Sequence, residues 1–406
     1  MTGVLRNHEA PPLSRTDDPA ILIDWMRRMR TESGVHYDPE RRACQVFRHR
    51  DIMTVYNDHK TYSSDDGHER PADEEIRVIT RGNLANHDQP RHTQLRRLVS
   101  KAFTPRVIAN LEPRISQLVD THLARLDADR VDLVENLTNP VPVMVIAELL
   151  GIPVEDRRTF KEWGDGLISL SRSIEVTEKV SEAGEGIKRG FTDIIREMNA
   201  YAFEAIAWRR RNPGDDLITR LAQAEVDGER LDDEEIVGFV LLMLMAGHVT
   251  TTLTLGNVLL CLDDNPDAAA AVRADPDLVP GVVEETLRMR PPFPTSKRKT
   301  ATDTVLGGVD IPAGTMVVMW LASANFDEAL FTAGETFDVT RSPNPHLTFG
   351  AGIHFCMGAG LARLEARVVL RQLLARFPQV RIDRPEVRYY GSTSVHGPDF
   401  LPAFLR

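Results

Sequence analysis

The residue of this sequence best placed to do chemistry is a cysteine set among glycines. Residues 349–363 read FGAGIHFCMGAGLAR: a glycine-rich loop that turns into a helix led by Leu361, Ala362 and Leu364. Glycines at 350, 352, 358 and 360 let backbone pass close to a flat, bulky group, and they surround Cys356. A thiol at a helix start meets the positive end of the helix dipole and unpaired backbone donors, which favour its thiolate form. That suits a loop built to hold a metal macrocycle, and iron bound by such a thiolate receives the electron push that favours O–O cleavage. A dinucleotide-binding loop fits poorly. Position 355 is Phe where the third glycine would stand, and no acidic ribose partner is evident. An inert buried thiol is a common fate of free cysteine; the neighbouring glycines and His354 weigh against it.

Other charged residues fall into groups. Glu285 and Arg288 lie in VVEETLRMRPP, and Arg341 in FDVTR. Taken alone, Glu285 and Arg288 would be an exposed helical pair worth a few tenths of a kcal/mol. In QPRHTQLRRLVSKAF, His92 and Arg96 are four apart and so share one helix face.

The loop FGAGIHFCMG resembles the haem-binding loop of the cytochrome P450 family at Phe349, Gly350, Gly352, His354, Cys356 and Gly358. The likeness runs from HTQLRRLV to the C-terminal hairpin and lacks clear matches only in segments that contact substrate. It implies that Cys356 is the axial ligand of haem b, iron protoporphyrin IX. It further implies that Glu285, Arg288 and Arg341 form a buried ion-pair cluster bracing the cysteine loop, and that His92, Arg96, Arg298 (in SKRKTA) and His354 pair with the haem propionates, which need cations or donors. Arg91, Arg97, Lys101 and Arg106 then become an outward positive patch suited to an acidic electron-donor protein.

On the oxygen side, the resemblance makes residues 236–262 the family's long central helix. Ala246 and Gly247 leave room over the iron, and Thr250 hydrogen-bonds dioxygen. Other members commonly carry an acid just before that threonine, and here the position is Val249. A carboxylate there helps organise proton delivery. With valine, protons could come through Thr250 and water, through His248 if it turns inward, or through a polar group of the substrate. Substrate contacts are expected from residues 64–86, 167–180, 293–296 (Phe293, Pro294, Thr295) and 394–395 (Val395), with Met243, Met245 and Val249 as apolar lining, although methionines at helical spacing are more often core.

The elements that must position these residues are mostly helices. Helical patterns cover 90–103, 113–126, 141–150, 187–211 and 277–289, joined by short turns marked by Pro or Asp, with Pro and acidic residues in first turns. Strand signals are fewer: 43–48, two short runs around an IPAG turn within 304–321, and a hairpin from 387 onward. The fold expected is mainly α with a small β subdomain, and the resemblance specifies the cytochrome P450 fold, a helical prism around a buried haem. No linker or repeat divides the 406 residues, so residues 1–406 read as one domain.

Composition limits the setting. The net charge of −11 opposes general affinity for nucleic acid or anionic membrane. Cys44, Cys261 and Cys356 lie far apart and form no disulfide framework. The first residues lack the apolar core of a signal or anchor. Residues 236–262 are apolar enough to span a bilayer, yet Gly247, His248, Thr250, Thr251, Thr252 and Asn257 put polar groups at its middle, and both flanks are acidic. A buried core helix in a cytoplasmic, monomeric protein is the expectation.

The function expected is insertion of one oxygen atom from O2 into a small organic substrate, by hydroxylation or epoxidation. Electrons would come from NAD(P)H through a separate ferredoxin and ferredoxin reductase, because the chain carries no flavin or nicotinamide domain. The resemblance to soluble bacterial members points to natural-product tailoring in secondary metabolism. A peroxide-driven haem oxidase and a non-catalytic haem sensor or carrier are the alternatives.

Overall fold

The computed structural model describes residues 16–65, 74–126, 129–176, 182–391 and 394–406, with the side chains of 167–189 outside that description. Parts of two expected substrate segments, 64–86 and 167–180, therefore lie outside the described residues. The chain divides into two compact units. The first comprises Met1–Tyr62, Gly256–Ile353 and Ile382–Pro402; the second comprises Ser63–Leu255, His354–Arg381 and Ala403–Arg406.

The first unit is built on a five-stranded sheet in the order Val35–Asp38, Ala43–Val46, Met316–Trp320, Thr295–Thr300, Tyr62–Ser63. Met316–Trp320 runs parallel to Ala43–Val46 and antiparallel to Thr295–Thr300, with Met319 opposite Ser296. Alternation of side chains along a strand puts Val317 and Met319 on the covered face, both fully buried with Cys44, Val46 and Ile52. On another cluster, Trp25 meets Trp320 edge-on at 4.9 Å and Phe47 stacks on Trp320 at 5.8 Å. The stretch expected as two strand runs holds three strands. Thr304–Leu306 and Val309–Ile311 form a hairpin across Gly307 and Gly308, both at positive φ, before the IPAG turn leads to Met316–Trp320. The tail pairs Arg388–Tyr389 with Pro398–Phe400.

The second unit is helical. Its elements include Arg91–Ala102, Glu112–Leu123, Pro140–Leu150, Arg157–Val176, Glu182–Arg211 and Ala359–Arg376. Ala359–Arg376 packs along Glu112–Leu123, whose buried Ile115, Val119 and Leu123 recur at i, i+4 and i+8. Pro140 opens its helix, where a missing N–H costs nothing.

The central helix, Asp233–Asp264, begins earlier than its apolar run. The acidic flank is its first turn. Asp232 Oδ1 accepts from the Glu235 N–H at 2.9 Å while Glu235 Oε2 accepts from the Asp232 N–H at 3.0 Å, a reciprocal cap that also places negative charge at the positive helix end. This helix is long and apolar enough to cross a membrane, but 67% of its most apolar window is buried inside the protein. Burial of an all-round apolar helix within a protein core accounts for its composition.

Candidate active site

In the second unit, Cys356 stands just before the helix Ala359–Arg376 and keeps exposed surface. The backbone N–H groups of Gly358 and Ala359 donate toward its sulfur. Crowding by protein atoms holds the thiol's pKa above its ordinary value, and those two donors with the charges of Arg96 and Arg363 offset only part of that rise, so the helix-start donors by themselves do not make it a thiolate. The other cysteines differ. Cys44 and Cys261 are buried, and burial pushes their thiols up to about 12 and about 11, so they are inert core groups. Around Cys356, Arg96 Nη2 donates to the Phe355 carbonyl at 2.8 Å. His354 Nε2 lies 2.9 Å from Ser64 Oγ, and its ring is 4.2 Å from that of buried His92. Among the described residues no group of three His, Cys, Asp or Glu side chains is placed to hold a bare ion. One thiol backed by backbone donors, with two histidines and an arginine beside it, fits a metal that brings further ligands and acidic substituents of its own and that would itself favour the deprotonated sulfur.

In the first unit, Glu285 and Arg288 are both fully buried. Arg288 Nε and Nη2 donate to the two carboxylate oxygens at 2.8 and 2.7 Å, and Arg341 Nε reaches the same carboxylate at 3.0 Å. The Asp338 N–H and Asn344 Nδ2 complete the set at 3.1 and 3.0 Å. Sequence reasoning missed these two, and also Asn325. The Asn325 carbonyl accepts from Arg288 Nη1 at 2.9 Å, while its side chain holds the Leu347 N–H at 2.8 Å and Thr348 Oγ1 at 3.1 Å. Thr348 in turn donates to the Leu287 carbonyl at 2.6 Å. The cluster thus grips the backbone that leads, eight residues on, to Cys356. A lone asparagine in SANFDE carries no sequence signal for that role.

Along the central helix, the residues between Ile236 and Leu255 that are not buried are Leu242, Met245, Ala246, Gly247, Val249 and Thr250. Except for Gly247 they follow helical spacing, so they form one stripe. Thr250 Oγ1 donates to the Ala246 carbonyl at 2.6 Å, which leaves its oxygen lone pairs on that stripe. Gly247 has a different neighbour: a Cβ there would come 2.8 Å from Ile146 Cδ1, so its small size serves the approach of Pro140–Leu150. Met243 lies off the stripe in the core, whereas Met245 is on it.

His248 does not turn toward the stripe. Its Nε2 is hydrogen-bonded to Asn139 Oδ1, and Asn139 Nδ2 donates to Asp165 Oδ1 at 3.0 Å. Burial lowers the imidazole to about 4, so it is neutral near neutral pH. The ring lies against Gly164, where a Cβ would stand 2.8 Å from His248 Nδ1. Gly164→Ala is therefore expected to cost about 1–3 kcal/mol in urea unfolding. Combined with His248→Ala, it should cost less than the sum of the two single changes. Simple additivity would refute the packing account.

The remaining expected residues are placed as follows. Arg298, in the first unit, lies over the Tyr56 ring at 5.5 Å and donates to the Lys297 carbonyl. Phe349 tilts against His346 at 6.0 Å. Phe293 is 41% exposed, Pro294 is buried, and Thr295 and Val395 are half-buried. The expected basic patch is half neutralised: Arg91 pairs with buried Glu235 and Arg97 with Asp227 at 2.6 Å, whereas Lys101 keeps its charge while donating to the Glu225 carbonyl at 2.8 Å, and Arg106 is exposed. Ion pairing with acidic neighbours distant in sequence is what the linear reading could not see.

The family model for cytochrome P450 matches residues 35–387. The erythromycin C-12 hydroxylase of Saccharopolyspora erythraea is 42% identical over 91% of this chain and 91% of its own length. The cyclomarin C epoxidase CymV of Salinispora arenicola is 39% identical over 97% of this chain and 98% of its own. Among solved structures, the open cytochrome P450 EryK from S. erythraea superposes with a TM-score of 0.87 at 39% identity, covering 98% of each chain. With this likeness along nearly the whole length, and a thiol held by backbone donors at the start of its helix, the chain belongs to the cytochrome P450 family and is a monooxygenase.

Proposed function

We propose that this monooxygenase hydroxylates or epoxidises a natural product, with Cys356 as the axial thiolate of haem b. The observation that carries the proposal is that Cys356, alone of the three cysteines in keeping exposed surface, has the N–H groups of Gly358 and Ala359 aimed at its sulfur. Haem, when bound, supplies dioxygen activation. The protein's part is to bind and orient. His92, Arg96, His354 and Arg298 are the proposed propionate partners, with Phe349 and Gly358 flanking the ligand loop. Ala246 keeps the central-helix stripe low, and Thr250 holds its hydroxyl there. Val249 offers no proton, and His248 is engaged with Asn139 on another side of the helix. Proton delivery is therefore assigned to Thr250 with water, or to a polar group of the substrate.

Phe293, Pro294, Thr295 and Val395 of the first unit and Met245 of the second are the proposed substrate contacts, whereas Met243 is a buried core residue. Electrons come from NAD(P)H through a ferredoxin and its reductase. Arg367 and Arg371 of the helix Ala359–Arg376 make no ion pair among the described residues, and they offer an acidic donor a better surface than the half-neutralised patch. The chain is proposed to act as one domain, as a cytoplasmic monomer. The names of the two relatives, an epoxidase and a hydroxylase of natural products, support the substrate class.

The test is optical titration of the haem-loaded protein with a panel of macrolides and cyclic peptides, followed by turnover with ferredoxin, reductase and NAD(P)H. A shift of the haem band with one class, and a product one oxygen heavier, is expected; no shift with either class would sink the natural-product reading. Val249 favours one further reading, a peroxide-driven reaction, for which peroxide alone should match the yield of the reduced system.

A further inference from the structure

Seven residues beyond Thr250 on the same helix, Asn257 is 1% exposed. An asparagine is a poor helix former, and its amide costs free energy to bury unless it is fully hydrogen-bonded. Both amide hydrogens are used. Nδ2 donates to the Arg290 carbonyl at 2.9 Å and to the His396 carbonyl at 3.0 Å. Those carbonyls belong to segments more than a hundred residues apart, and the segments are tied to each other as well, since the His396 N–H donates to the Pro292 carbonyl at 2.8 Å. The preceding residue fits the same purpose: a Cβ at Gly256 would stand 2.6 Å from Pro398 Cγ, so glycine admits the tail against the helix. All of these residues lie in the first unit.

The two clasped segments lead directly to side chains assigned above to substrate. Arg290 and Pro292 precede Phe293, Pro294 and Thr295, and the Pro294 carbonyl is itself held by the Ala322 N–H at 3.0 Å. His396 follows Ser394 and Val395. We propose that Asn257 is a positioning residue for substrate selection, clasping the Arg290–Pro292 and His396 backbones so that the two substrate-bearing segments keep one fixed separation. The proposal rests on the assignment of those segments to substrate. Asn257 touches no substrate itself; it acts through two carbonyl oxygens. Without its amide, the Arg290 and His396 carbonyls each lose a donor, and the helix loses its hydrogen-bonded hold on both segments.

The experiment uses the haem-loaded full chain with Asn257→Asp, which keeps the side chain's shape but removes both donors, and Asn257→Leu. Two readouts are taken. By hydrogen exchange, the His396 amide and those of residues 295–296 should exchange about tenfold faster, while the hairpin Thr304–Ile311 stays unchanged. By optical titration, the affinity for a bulky trityl imidazole should change about tenfold, while that for imidazole, which needs only the iron, is unaltered. Unchanged exchange at His396 would refute the clasp. Faster exchange with an unchanged ratio of the two affinities would refute its role in selection. A wild-type protein whose spectrum ignores imidazole would overturn the haem assignment and this proposal together, with the exchange result still reporting on the clasp. Should both Asn257 variants fail to fold, Gly256→Ala displaces the tail with Asn257 intact, and it must move the same affinity ratio for the proposal to stand.

Discussion

Replacing Cys356 with serine is expected to lower turnover by about three orders of magnitude, equivalent to roughly 4 kcal/mol of lost transition-state stabilisation. The substitution changes one atom at a position where the chain has concentrated its donors. The Gly358 and Ala359 N–H groups would still point at the hydroxyl, and Arg96 would still hold the Phe355 carbonyl, so the helix and loop should form as before. What disappears is the soft, electron-rich sulfur that promotes O–O cleavage. Two measurements separate this from misfolding. Thermal unfolding should stay within about 1 kcal/mol of wild type, as for a substitution at an exposed position. The carbon monoxide complex of the reduced protein should lose the red-shifted band of thiolate-ligated haem. Retention of that band would mean another residue binds the iron. By contrast, Cys44→Ser and Cys261→Ser should leave that spectrum alone, because both thiols are enclosed in apolar core.

Glu285→Gln is expected to destabilise the protein by about 3–5 kcal/mol, the usual cost of removing one partner from a buried ion pair. Arg288 is 0% exposed and would keep its charge with no carboxylate within reach of Nε and Nη2. The effect should extend beyond stability. Loss of the cluster loosens Asn325, Leu347 and Thr348, and haem retention should fall along with the unfolding temperature. The pH dependence follows from the same carboxyl. Burial alone would raise its pKa, but the hydrogen bonds and charge of Arg288, the Asp338 N–H and Arg341 outweigh burial and hold it below the ordinary carboxylate value. A carboxyl depressed on folding stabilises the native state above its unfolded pKa, and that contribution is lost as pH falls through the lower folded value. Wild-type stability should therefore decline on the acid side of the carboxylate range, and Glu285→Gln should flatten that decline. Denaturant unfolding from neutral pH into that range measures both; an acid limb of unchanged steepness would remove Glu285 as its source.

Much of this was legible in linear form because the chemistry demands local patterns. The proposed thiolate ligand needs a cysteine at a helix start among residues that allow close approach, and residues 349–363 carry that pattern. An all-round apolar segment must be buried, so the central helix could be read from composition, although its acidic flank proved to be a capping box. Glu285 and Arg288 occur one helical turn apart, which any helix brings together.

Other features depend on contacts between residues far apart in the chain, and periodicity carries no trace of them. Asn325 and Asn344 join the Glu285 cluster only because loops return to it. His248 is adjacent to the expected oxygen-side residues in sequence, yet helix rotation aims it at Asn139 and Gly164; the same rotation separates Met245 from Met243 and turns Gly247 toward Ile146. Arg91 and Arg97 look free in the sequence and are neutralised by Glu235 and Asp227. The chemistry this protein performs was thus written in short motifs, whereas the face each side chain presents, and the charge it has left to offer, were set by packing, since burial and pairing are properties of neighbours in space.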